Sequence, residues 1–198
     1  MGIYEKNPIW DDVVPIAQDD GEGALAQIAY TDEYAEAMGY LRAVMASKEY
    51  SPRVLELTEH IITLNAAHYT VWLYRATTLF ALSSSVADEL AFMFDEDAKN
   101  YHVWSYRQYL VLKLDMFNEA ELKSVEDLIR RDVRNNSAWS YRFFLVFSDP
   151  KYSTKGLKAN EFDEKIPKEI VDREIEYAKS ATYEAPQNQS SWNYLRGF

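Results

Sequence analysis

Apolar residues along this chain return at spacings of three and four, the period of a helix with one buried face. Tyr34, Met38, Leu41 and Met45 form the first stripe, and Val54, Leu57, Ile61 and Leu64 the second. Later stripes run through Val86, Leu90 and Met93/Phe94, through Leu122, Val125, Leu128 and Ile129, and through Ile170, Ile175 and Ala178. The segment around Trp104 is apolar on two sides, with Val103, Tyr106 and Leu110 on one and Trp104, Val111 and Leu114 on the other. That is the pattern of an inner helix buried on more than one face. Start signals precede several stripes. Thr31 is a capping residue followed by Asp32 and Glu33, which complement the helix dipole. Ser51-Pro52 combines a cap with proline at the first helical position, and Pro167 opens a late helix. Asn118-Glu119-Ala120-Glu121 resembles a capping box. Before Thr31, Pro8, Pro15 and the run Asp19-Asp20-Gly21-Glu22-Gly23 break any helical period. Trp10, Val13, Val14 and Ile16 give this arm apolar surface, so it either docks on a partner or frays as a terminus.

The helices pair into a repeated unit whose clearest copy is Lys99-Asn100-Tyr101-His102-Val103-Trp104-Ser105-Tyr106-Arg107. Trp72-Leu73-Tyr74-Arg75 and Trp139-Ser140-Tyr141-Arg142 share its Trp-x-Tyr-Arg core, and Trp192-Asn193-Tyr194-Leu195-Arg196 has one residue more. The steps between these tryptophans are 32, 35 and 53 residues, a period that indicates stacked helical hairpins. A single hairpin cannot bury its own apolar face, so neighbours must stack. The expected architecture is all-α, a superhelical solenoid of hairpins. It comprises an irregular arm over 1–30 and one helical-repeat domain over 31–198. Repeats fall at about 51–82, 86–115, 118–147 and 167–198, with an inserted loop over 148–166 marked by Pro150 and Gly156. The simplest role for Trp72, Trp104, Trp139 and Trp192 is as packing knobs between adjacent hairpins. Arg75, Arg107 and Arg142 lie one turn further on the same face and are expected to tie helices together through carboxylates or carbonyls of a neighbouring repeat.

Composition narrows the chemistry. With 47% hydrophobic residues over 198 positions the chain can bury a real core. A net charge of −11 disfavours a nucleic-acid partner, which needs clustered Lys and Arg. There is no cysteine, which removes disulfides and thiolate metal sites. His60, His68 and His102 do not have metal-ligand spacing, so no metal is expected in this chain. No apolar run reaches the ~20 residues of a membrane span, and Met1 to Trp10 lacks the features of a signal peptide. The default reading is a soluble cytoplasmic protein. No Gly-rich phosphate loop, Ser-His-Asp order or distinct carboxylate pair is present.

One edge of the solenoid is different. The turns before the Trp helices contain His68 and Tyr69, then Lys99, Tyr101 and His102, then Arg134. Helix N-termini, cations and phenol donors together suit an anionic group such as a diphosphate. A solvated edge is the plainer alternative.

At these residues the chain resembles the α subunits of protein prenyltransferases, whose hallmark is Asn-x-x-x-Trp-x-x-Arg. Asp97-Ala98-Lys99-Asn100-Tyr101-His102-Val103-Trp104, Asp132-Val133-Arg134-Asn135-Asn136-Ser137-Ala138-Trp139 and Leu64-Asn65-Ala66-Ala67-His68-Tyr69-Thr70-Val71-Trp72 look like the branch serving farnesyl and type I geranylgeranyl transfer. The arm is also similar, at Val14-Pro15-Ile16-Ala17-Gln18-Asp19-Asp20-Gly21 and Gln27-Ile28-Ala29-Tyr30. The resemblance implies a right-handed, crescent-shaped α-α superhelix wrapped around a β subunit. It implies transfer of an isoprenoid from its diphosphate to the cysteine of a C-terminal CaaX sequence, with no cofactor in this chain. Zinc would be held by the β subunit, with or without magnesium in the complex. It places Tyr101 and His102 at the isoprenoid diphosphate and makes Lys99 the candidate catalytic cation. The family pattern has two successive Lys-Asn-Tyr turns, and only one is found here. A repeat is therefore expected to be missing near Ser83-Ser84-Ser85, with little or no catalysis even beside a β subunit. The competing reading is a tetratricopeptide-like interaction scaffold with no part in chemistry. The sequence leaves open which prenyl group and which β subunit are used.

Overall fold

The computed structural model describes residues 2–21, 23, 28–83, 89, 100–154 and 163–198. Among these residues the regular structure is entirely helical, and no strand occurs. The helices are α1 Asp32–Ser47, α2 Pro52–Leu64, α3 Tyr69–Leu82, α4 Tyr101–Leu114, α5 Glu119–Arg131, α6 Asn136–Phe147, α7 Lys168–Glu184 and α8 Gln189–Leu195. A short 3-10 turn spans Pro8–Trp10. The chain divides into two compact units, Met1–His102 and Val103–Phe198.

In the first unit α1, α2 and α3 follow one another as antiparallel neighbours around Leu41, Val44, Val54, Leu57, Ile61, Ile62, Val71 and Trp72, all at or near zero exposure. Thr31 caps α1 by accepting the Tyr34 N–H at 3.3 Å. Ser51 opens α2 without a side-chain capping bond, because its hydroxyl donates to Glu49 at 2.6 Å instead.

Over residues 3–16 the arm is clipped to its own α1 and α2, while Ile3, Ile9, Val14 and Ile16 stay exposed. The Glu36 carboxylate accepts the N–H groups of Ile3 (2.8 Å), Tyr4 (3.0 Å) and Glu5 (2.9 Å). The Tyr4 hydroxyl meets His60 Nδ1 at 2.6 Å, and Trp10 is buried edge-on to Tyr4 and Tyr40. Arg53 forks to Asp12 and Glu49, donates to the Ile9 carbonyl and lies over the Trp10 ring at 4.9 Å. The arm then crosses α1 at Gly39, whose carbonyl accepts the Ile16 N–H at 3.0 Å. A Cβ there would meet Pro15 at 3.2 Å, so glycine permits the close crossing.

The second unit repeats the hairpin plan with α5 against α6 and α7 against α8. Asn118 caps α5 by accepting the Glu121 N–H at 3.0 Å. The reciprocal half of the expected capping box does not form. The Asn118 N–H donates to the Met116 carbonyl at 2.9 Å, and the Glu121 side chain is drawn into the core by Arg107. In α7 the expected stripe of Ile170, Ile175 and Ala178 is displaced. The buried positions are Glu174, Ala178 and Thr182, while Ile170 and Ile175 are half-buried. The cause is again an arginine, because Arg142 binds Glu174 and so sets the face that α7 turns inward. Residues 155–162 of the inserted loop and all of 84–88 lie outside the described residues, and with them the Ser84-Ser85 part of the expected missing repeat.

Candidate functional site

The turns before the Trp helices are closed by bonds that recur. The indole N–H of Trp72 donates to the Ala66 carbonyl at 2.9 Å, that of Trp139 to Val133 at 2.8 Å, and that of Trp192 to Pro186 at 2.9 Å. Each acceptor lies six residues upstream. Asn at the turn supplies the other closure. Asn100 Oδ1 accepts the His102 N–H at 2.9 Å, Asn135 Oδ1 the Ser137 N–H at 3.1 Å and Asn188 Oδ1 the Ser190 N–H at 3.1 Å. These are ordinary capping bonds, so the repeated Asn and Trp build the turn.

The repeated arginines join hairpins. Arg107 is bidentate to Glu121, with Nε at 2.6 Å and its second nitrogen at 2.8 Å. The Tyr141 hydroxyl donates to the same carboxylate. Arg142 repeats this with Glu174 at 2.6 and 3.0 Å, and Tyr194 donates to that carboxylate at 2.8 Å. In the first unit Arg75 meets both oxygens of Glu89, at 2.9 and 3.0 Å, and also donates to the Leu55 carbonyl at 2.6 Å. All three arginines and all three glutamates are at most 4% exposed. Burial pushes the Tyr141 and Tyr194 phenols far above the ordinary tyrosine range, and the adjacent carboxylates push further. Burial alone would depress Arg142, but its bonds to Glu174 and Glu126 outweigh that and hold it above its usual value. The sequence points to the tyrosines only as part of the Trp-x-Tyr-Arg motif and to Glu121 only as a capping residue, and gives no role to Glu89 or Glu174. A signal existed, since Glu89 and Glu121 each follow their arginine by fourteen residues.

The tryptophans are not equivalent. Trp72, Trp104 and Trp139 are buried, and Trp139 packs on Tyr177 and Tyr194 of the next hairpin at 5.6 and 5.2 Å. Trp192 is 42% exposed, which corrects its expected role as a knob between hairpins. Arg196, one position late in its motif, is exposed and among the described residues reaches Asn193 at 3.4 Å.

What the turns present outward is aromatic and polar. Tyr69 is 68% exposed and Tyr101 76%. The His102 ring stacks against Tyr69 with centroids 6.2 Å apart and lies edge-on to Tyr101 at 5.7 Å. His68 extends the row, 6.5 Å from Tyr69, and its Nδ1 is buried without a hydrogen-bond partner. Tyr69, Tyr101 and His102 thus converge in the first unit. Lys99 lies outside the described residues. Arg134 opens a turn of the second unit. Among the described residues no three acidic or histidine side chains gather to hold a metal ion, and no helix is long and apolar enough to cross a membrane.

The protein prenyltransferase alpha subunit repeat matches residues 51–82, 86–114, 118–149 and 171–198. The chain is 50% identical over 103 residues to the protein farnesyltransferase/geranylgeranyltransferase type-1 subunit alpha of Schizosaccharomyces pombe, a match covering 50% of this chain and 35% of that subunit. It therefore aligns with about a third of that relative's length. The subunit of the same name from Candida albicans is 33% identical over 234 positions, covering 95% of this chain and 72% of the relative. A solved structure of Candida albicans protein geranylgeranyltransferase-I complexed with GGPP aligns at 34% identity over 94% of this chain and 72% of that one, with a TM-score of 0.48. The four repeat matches and the near full-length Candida alignment show that this chain belongs to the protein prenyltransferase alpha subunit repeat family.

Proposed function

We propose that this chain is the α subunit of a heterodimeric protein prenyltransferase that joins a farnesyl or geranylgeranyl group to the cysteine of C-terminal CaaX sequences in the cytoplasm. The observation that carries the reading is the alignment of nearly the whole chain with a relative named as that subunit. The same match disfavours a tetratricopeptide-like scaffold. The chemistry in this reading belongs to the assembly. In this reading zinc, and any magnesium, belongs to the complex, with zinc held by the β subunit.

This chain's contribution is to support the β subunit and to supply the edge at Tyr101 and His102 to the isoprenoid diphosphate. Phenol and imidazole N–H or O–H donors stabilise charge that develops on the bridging oxygen as its bond to carbon breaks and the thioether forms. Lys99 is the cation proposed for the same oxygen. Two features favour this edge: Tyr101 is almost free of the protein surface, and His102 sits at the first turn of α4, where the helix dipole favours an anion.

Co-expression with a farnesyltransferase β subunit, followed by size-exclusion chromatography and a farnesylation assay on a CaaX peptide, tests the proposal. The expected result is a one-to-one complex that retains farnesyl diphosphate and transfers it slowly. A stable monomer that ignores the β subunit would overturn the reading.

A further inference from the structure

The row of rings at His68, Tyr69 and His102 has a feature that neither the latches nor the turn closures explain. Large aromatic side chains clustered at high exposure are uncommon without a ligand, and Tyr69 is 68% exposed at the start of α3. Its hydroxyl bonds no protein group among the described residues. The same is true of the Tyr101 hydroxyl and of both ring nitrogens of His102, whose backbone N–H alone is used, by Asn100. The polar tips are thus all unspent while the ring faces are engaged. One face of His102 is covered by Tyr69, with planes 30° apart, and Tyr101 closes against it at 76°. Behind Tyr69, His68 lies at 32°, anchored with Nδ1 buried.

An imidazole on an exposed helix start is free to rotate about its χ angles, and a donor that must find its geometry anew loses entropy on each binding event. A ring stacked on one face and blocked at another has that orientation fixed beforehand. From this arrangement we propose that Tyr69 is a positioning residue: its ring holds the His102 imidazole so that a ring N–H faces the isoprenoid diphosphate. The inference rests on the diphosphate reading of this edge given above. It assigns Tyr69 a role through its ring face and none through its hydroxyl.

Two substitutions separate ring from hydroxyl. Tyr69→Phe keeps the stack and Tyr69→Leu removes it. Affinity for farnesyl diphosphate is measured by titration calorimetry on the α–β complex for both, for His102→Ala and for the Tyr69→Leu/His102→Ala pair. The expected result is that Tyr69→Leu binds about three- to tenfold more weakly, that Tyr69→Phe restores the loss, and that Tyr69→Leu adds nothing once His102 is alanine, since residues acting as a unit are not additive. Equal losses in Phe and Leu variants would assign the effect to the hydroxyl and overturn the inference, as would full additivity with His102→Ala. A complex that forms but in which His102→Ala binds normally overturns this inference and leaves the α-subunit reading standing. A chain that forms no complex overturns both. In the free chain, the His102 ring proton signals in NMR spectra are expected to move in Tyr69→Leu and to stay in Tyr69→Phe. Unchanged signals in the Leu variant would show that the stack does not form and likewise overturn the inference.

Discussion

Glu121 is at 4% exposure with one arginine and one tyrosine aimed at its two oxygens. A buried ion pair of this kind gives little net stability against an apolar pair of the same volume, yet removing one partner strands a charge. Glu121→Leu is therefore expected to destabilise the chain by about 3–5 kcal/mol, and Arg107→Met added to it is expected to recover most of that loss. Urea unfolding of the single and double variants checks this, and a double variant as weak as the single would remove the stranded-charge account. The same clusters set an alkaline limit. The Tyr141 and Tyr194 phenols are raised by burial, and Tyr74 is pushed up to about 12 by burial with Tyr50 and Glu49 nearby. A phenol raised in the fold favours the folded state below its unfolded value of 10.0, and that stability is lost as pH rises through the folded value. Stability is thus expected to fall steadily above about pH 10. These phenols are expected to ionise together with unfolding, visible as a tyrosinate absorbance step coincident with the loss of helical circular dichroism. A smooth titration of all fifteen tyrosines in a chain that stays folded would contradict it.

At the scale of elements, the arm is the part that reading the sequence placed least well. Pro8, Pro15 and the Gly-Asp run correctly exclude a helix, but alternation and period say nothing about which surface an irregular segment will lie on. What decides it is Arg53, one residue into α2, and Glu36 in α1, each satisfying several arm groups at long sequence separation. Such contacts leave no periodic trace. Arg53→Ala leaves Asp12 and the Ile9 carbonyl without the Arg53 donor and leaves Glu49 only the Ser51 hydroxyl. It is expected to release the arm at about 1–3 kcal/mol, raising the rate of limited proteolysis near Val14 about tenfold. Cleavage at the wild-type rate would show that Glu36, Trp10 and Tyr4 hold the arm alone. Acid should do the same by another route. The bond from Arg53 holds the Asp12 carboxyl of the arm below its ordinary 3.8. The stability it contributes is present above that value and is lost as pH falls through the lower, folded one. Arm cleavage is therefore expected to rise as pH falls below about 3.8. The helices were far more legible. Stripes at three- and four-residue spacing and the caps at Thr31 and Asn118 located α1 and α5, because local capping and one-sided burial dominate there. They misjudged α7, where Glu174 and not Ile175 turns inward, since a buried partner for Arg142 outranks hydrophobicity at that position.

At the scale of the whole molecule, the latches explain how an array of this kind can change length. Each of these arginines reaches a glutamate on the following hairpin, so the described junctions share an Arg–Glu pair made between neighbours. Ninety-five per cent of this chain is about 188 residues, whereas the Candida alignment runs over 234 positions, so about 46 positions of the relative have no counterpart here. That is about the length of one hairpin repeat. Arg75 meets both oxygens of Glu89 through Nε, as Arg142 meets both oxygens of Glu174 through two nitrogens. A nearest-neighbour array of this kind tolerates the loss or gain of a whole repeat at one junction. The same logic runs in reverse. Inserting one repeat between Leu82 and Glu89, with a glutamate to receive Arg75, an arginine to bind Glu89 and a Lys-Asn-Tyr turn before its tryptophan, should fold in register with unchanged latches on either side. If the diphosphate edge works as proposed, the added lysine and tyrosine supply two more donors to the leaving group. The farnesylation rate of the α–β complex is then expected to rise by at least about tenfold, within the range for adding a single oxyanion donor. An inserted chain that is as stable as the parent, assembles with the β subunit and gains no activity would separate the two halves of the argument. The junction rule would stand, and the turn edge would lose its claim on the diphosphate.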